Sequence, residues 1–121
     1  MPAAKLNLQI EQGTTWKHAL QLKQPALLGQ AAQPVNLGGY SARMHVRAEL
    51  PSTVVLVELT SSNGRITITP ATGELMLTLS AAETAALSFE AAVYDLEIVS
   101  AGGEVTRVLQ GKVTLSLEVT R

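Results

Sequence analysis

An all-β sandwich is the fold this sequence predicts, and three observations carry the prediction. Apolar and polar residues alternate at period two along most of the chain. Clusters of Gly, Pro, Asn and Ser break the alternation at intervals of roughly 8–12 residues, and only one short stretch carries helix signals. At 121 residues the chain has the length of one domain, spanning 1–121. Hydrophobic residues make up 46% and aromatics 3%, so the core is expected from Leu, Val, Ile and Ala rather than from rings.

The first strand is marked by Leu6, Leu8 and Ile10 set between polar neighbours. After Gly13, residues 14–23 alternate again, with Trp16, His18, Leu20 and Leu22 on one side. No period survives from 24 to 39, a stretch holding Pro25, Gly29, Pro34, Gly38 and Gly39, which reads as a long loop with an apolar pair, Leu27 and Leu28. Residues 40–50 give the cleanest strand, with Tyr40, Ala42, Met44, Val46 and Ala48 facing inward and Arg43, His45 and Arg47 outward. Residues 54–60 follow as a strand whose unbroken Val54, Val55, Leu56 and Val57 imply that both of its faces are covered.

Ser61-Ser62-Asn63-Gly64 predicts a tight hairpin into a strand over 65–69, and Pro70-Ala71-Thr72-Gly73 a second turn into 74–79. Ser80 and Glu83 have capping-box spacing, which predicts a helical turn over 81–87. A strand over 93–100, a turn at Ala101-Gly102-Gly103 and a long strand over 104–121 complete the chain. In that last strand Gly111 is the expected bulge and Val113, Leu115, Leu117 and Val119 the expected buried face. About seven or eight antiparallel strands and one helical turn result.

Tyr94, two residues before Leu96 at the opening of a strand that follows the capped turn, is similar to the tyrosine corner of immunoglobulin-like sandwiches. That likeness sharpens the expected fold to an immunoglobulin-like arrangement. Trp16, the sole tryptophan, lies on the second strand, so antibody-type packing does not carry over.

Several chemistries are poorly supplied. Nine Lys and Arg against ten Asp and Glu give a net charge of -1, with no basic field for a phosphate backbone, so no nucleic acid partner is expected. The absence of cysteine removes disulfides, thiolate metal sites and thiol catalysis. No apolar run matches a signal peptide or a membrane span, so synthesis in the cytoplasm and no membrane partner are expected. A hydrolytic triad has only His18, His45 and Asp95 to draw on, without a nucleophile elbow, and two histidines alone do not make a zinc site. The expectation is a protein that is not an enzyme and carries no cofactor or metal.

Contact with other proteins is the better supported use of the surface. Val54, Val55 and Val57 with Leu27 and Leu28 are the candidate apolar interface, and a small sandwich with such surface often buries it against another subunit. Arg43, His45 and Arg47 form a positive stripe, which either pairs across the sheet with Glu58 or Glu97 or, through Arg43 and Arg47, docks an acidic partner.

Five segments, taken in order, resemble small proteins of tailed bacteriophages and prophages. They are Ile10-Glu11-Gln12-Gly13-Thr14-Thr15-Trp16, the stretch 36–47 from Asn36-Leu37-Gly38-Gly39-Tyr40 to Val46-Arg47, the stretch 79–84 opening on Leu79-Ser80, Tyr94-Asp95-Leu96-Glu97, and the ending 111–121 from Gly111-Lys112-Val113. The resemblance implies a virion structural protein of the tail, baseplate or fibre attachment, assembled in the bacterial host cytoplasm through other virion proteins and as a homo-oligomer. Capsid decoration, or a carbohydrate- or host-surface-binding module, is the alternative it leaves open.

Overall fold

Period-two patterning buries a strand on one face only, so the chain stacks two sheets around a shared apolar layer. The structure, a computed structural model, describes residues 3–23 and 33–119. Its elements are β1 (Ala4–Lys5), β2 (Leu8–Glu11), β3 (Trp16–Gln21), β4 (Ser41–Arg47), β5 (Val57–Thr60), β6 (Ile66–Thr69), a 3-10 turn (Pro70–Thr72), β7 (Glu74–Leu79), α1 (Ala81–Ala85), β8 (Ala91–Val99) and β9 (Val105–Ser116). The larger sheet has the order β1-β9-β8-β4-β5, with β2 also on β9, and the smaller has the order β3-β7-β6. Ile10, Met44, Leu59, Leu96 and Val113 from the first meet Ile66, Leu75, Leu77 and Leu79 from the second in one core.

Most expected elements are present, and the departures are informative. β1 and β2 run parallel to β9, not antiparallel, because the strands at the two ends of the chain meet there with the whole domain as their crossover. The first strand is also broken at Leu6 and Asn7, which leaves Leu6 38% exposed instead of buried. Residues 61–64 form no hairpin, since β5 pairs with β4 and β6 with β7, and the turn passes from one sheet to the other. A two-residue type I′ turn needs positive φ at both central residues, and here only Gly64 has it, at φ 80. Asn63 instead uses its side chain, accepting from the backbone N–H of Thr60 and of Arg65 and donating to the carbonyl of Glu58.

The strand expected over 54–60 starts only at Val57, so Val54, Val55 and Leu56 are not a doubly covered strand. Gly111 makes no bulge; the register shift of β8 on β9 falls between Leu96 and Glu97. Glycine at 111 is required for another reason: a Cβ there would stand 2.1 Å from the Leu6 carbonyl oxygen. β9 ends at Ser116, short of the expected 121, and beyond it Val119 is 92% exposed, with Leu117 exposed too. The capping box is present, Ser80 Oγ accepting from the N–H of Glu83 and the Glu83 carboxylate from the N–H of Ser80.

Candidate interaction surface

The outer face of the larger sheet collects the polar residues of β4, β5, β8 and β9 in lateral rows set by the register. One row runs Thr60, Arg43, Glu97, Arg107; the next runs Glu58, His45, Asp95, Gln110. Opposite charges therefore stand abreast. Arg43 Nε donates to Glu97 Oε1 at 2.9 Å, and Arg107 Nε lies 3.5 Å from Asp95 Oδ2. His45 Nε2 is 3.0 Å from Glu58 Oε2. A carboxylate only accepts, so Nε2 donates in that contact, and Arg47 Nη2 lies 3.4 Å from Nδ1 on the other side of the ring. The cross-strand pairing expected for Arg43 and His45 is thus the arrangement found, and these exposed pairs contribute little to stability.

Arg47 does something else. Its Nη1 donates to the Ser52 carbonyl at 2.8 Å, pinning the loop of residues 48–56 back against the sheet. The Ser52 N–H donates to the Glu49 carbonyl, and the Val54 N–H to Ser52 Oγ, so the loop is held by its own turn. Two of its apolar side chains point to solvent: Leu50 is 85% exposed and Val54 63%. Leu50 borders a shallow depression of about 320 Å³ on the charged face, together with His45, Arg47, Asp95 and Arg107. Leu56 borders a second depression of about 430 Å³, between β5 and α1.

The expected interface residues consequently separate. Val54 is on the surface, Val55 half-buried behind it, and Val57, at 7% exposed, belongs to the core. Arg43 and Arg47 flank the loop's root on β4. Leu27 and Leu28 lie outside the described residues. Leu50 was not among the residues singled out from the sequence; an apolar residue directly before Pro51, where the strand pattern stops, is the signal that marks it.

Of the residues weighed for catalysis, His45 and Asp95 stand abreast and His18 is apart from both. His18 stacks on Trp16 on the smaller sheet, ring centroids 6.3 Å apart, while His45 and Asp95 lie on the outer face of the larger sheet, each with its own partner. Among the described residues, no group of three or more His, Asp or Glu side chains is placed to hold a metal ion. No described helix is long and apolar enough to cross a membrane.

Hydrogen bonds between distant segments hold the ends of the sheets together. Thr84, buried, donates to the Thr14 carbonyl at 2.7 Å. Gln12 donates through Nε2 to the Leu87 carbonyl and accepts at Oε1 from the Glu118 N–H. Tyr94 donates to the Leu6 carbonyl at 2.6 Å, 88 residues upstream, whereas a tyrosine corner closes on backbone a few residues away. No protein-family model matches this chain, and no curated protein sequence matches it.

Proposed function

We propose that this chain is a non-enzymatic structural module of a tailed-phage or prophage virion, an immunoglobulin-like sandwich that joins tail, baseplate or fibre components through protein contacts. The observation that carries the reading is the pinned loop of residues 48–56. It presents Leu50 and Val54 to solvent beside a face on which Arg43 pairs with Glu97 and Arg107 with Asp95. Exposed apolar side chains on a loop fixed at both ends lose little entropy when covered, which favours a protein partner. The ordered series of phage-like segments supports the virion assignment, and the two-sheet architecture supports the immunoglobulin-like one. Other virion proteins and further copies of the chain are the partners.

The test is to induce particles from the strain that encodes the chain, purify them by density gradient and quantify the protein by mass spectrometry. Constant stoichiometry with the tail proteins is the expected result. Its absence from purified, infective particles overturns the assignment.

A further inference from the structure

We infer that the outer edge of β3 pairs with the same edge of a second copy of this chain, antiparallel and about a two-fold axis at Ala19. β3 is the end strand of the smaller sheet and bonds only to β7. The Leu22 N–H donates to the Gly73 carbonyl, and the N–H of Thr78 on β7 donates to the Arg65 carbonyl. These two bonds fix the ladder's phase: Trp16, His18, Leu20 and Leu22 bond toward β7, while the backbone groups of Lys17, Ala19 and Gln21 point away from it. Among the described residues, none bonds to those outward groups.

The other edges are closed or short. On β5, the outward Glu58 carbonyl takes Asn63 Nδ2 and Arg65 Nη1, and the outward Thr60 N–H takes Asn63 Oδ1. β1 and β2 are separated by Leu6 and Asn7, and β6 has four residues before Pro70. β3 offers six.

Self-pairing is what the register favours. With the axis at Ala19, all three outward residues engage, Ala19 facing its own copy and each Lys17 facing Gln21. An axis at Lys17 places two lysines opposite each other, and one at Leu20 places Lys17 opposite Lys23. On the inward side the same axis sets Trp16 beside Leu22 and His18 beside Leu20, covering side chains that are half-buried in the single chain. The product is a continuous sheet of two three-stranded halves.

This inference deepens the self-association in the proposed function by naming the edge it uses, and its test is separate, since a chain can pair through β3 whether or not it enters a particle. The test is sedimentation of the full chain over a concentration series, with emission from Trp16, the sole tryptophan, read in parallel. The wild type is expected to form dimers with a blue shift of Trp16. Ala19→Lys and Ala19→Glu each put like charges at the axis on an exposed position and are expected to weaken association at least ~tenfold, while their equimolar mixture recovers it. Ala19→Pro, which removes an outward N–H and no bond to β7, gives the same loss by a second route should the charged variants fail to fold. A wild type that stays monomeric throughout, or dimers indifferent to Ala19→Lys and Ala19→Pro, overturns the inference.

Discussion

The Tyr94 hydroxyl donates to the Leu6 carbonyl across 2.6 Å, and that carbonyl lies directly over Gly111, the residue opposite Tyr94 in the β8–β9 register. Three segments far apart in sequence are thereby fastened at the break between β1 and β2. Lys112 N–H donates to Asn7 Oδ1, and Leu6 N–H to the Gln110 carbonyl, on either side of the same point. Tyr94→Phe keeps the ring buried and removes only the hydroxyl, so an unfolding free energy lower by about 1–2 kcal/mol is expected in urea titration. Gly111→Ala drives a methyl into the Leu6 carbonyl and is expected to cost more, roughly 3 kcal/mol, with loss of the parallel strands from β9. Amide exchange of Leu8 and Ile10 checks that loss.

Burial also pushes the Tyr94 phenol up to about 12 from its ordinary value of 10.0. A phenol that stays protonated in the fold while ionising in the unfolded chain stabilises the fold fully below pH 10. That contribution is then lost as pH rises from about 10 through about 12, because the unfolded state binds fewer protons in that interval. Wild type and Tyr94→Phe should therefore converge in stability across this window, the wild type losing more. Parallel curves for the two proteins would contradict the assignment.

Helix α1 is short and depends on its cap. The backbone N–H of Ser80 holds the Glu83 carboxyl below its ordinary range, aided by the Ser80 hydroxyl and by Arg65, which ion-pairs with it. Ser80→Ala is expected to cost about 1 kcal/mol in thermal or urea unfolding. A depressed carboxylate stabilises the fold above its unfolded value and loses that effect as pH falls through its folded one. The gap between wild type and Glu83→Gln should accordingly close on acidification below about pH 4.

Asn63 closes the β5 edge with three hydrogen bonds, to Thr60, Arg65 and Glu58. Asn63→Ala opens the outward N–H of Thr60 and half of the cover on Glu58. The expected result is a loss of about 1–2 kcal/mol together with faster aggregation on warming, followed by light scattering.

What the sequence made legible was local. The alternation over β4, the Ala101-Gly102-Gly103 hairpin, the Ser80–Glu83 box and the cross-strand partners of Arg43 and His45 each depend on neighbours in sequence or on a single register, and each can be read from residue order. What stayed hidden was set by tertiary choice. Asn63-Gly64 has the composition of a hairpin, but whether the next strand returns to the same sheet or crosses depends on where Ile66 and Leu59 find the core. The run from Val54 to Val57 looks like one strand because composition does not register that Arg47 holds Ser52 and delays the strand to Val57. Gly111 reads as a bulge, yet it lies in regular register, and what requires glycine there is a carbonyl more than a hundred residues upstream. The same limit applies to the candidate surface: Arg43, Arg47 and Val54 are legible on it, while Leu50 needs the loop's shape to be seen.

Leu50, Val54 and Val57 together separate an assembly surface from a core, although all three are apolar and lie within eight residues. Leu50 and Val54 expose most of their surface, so Leu50→Lys with Val54→Lys is expected to leave stability within about 0.5 kcal/mol of wild type. Val57 packs with Met44, Val46 and Leu59, so Val57→Ala is expected to cost roughly 1–3 kcal/mol through the cavity it leaves. If the loop is the contact surface, the double lysine variant folds normally yet is excluded from particles in a complementation experiment. Val57→Ala instead enters them in proportion to how much of it is folded. A double lysine variant incorporated at wild-type stoichiometry would remove the 48–56 loop from the interface and leave the charged face between Arg43 and Arg107 as the surface to mutate next.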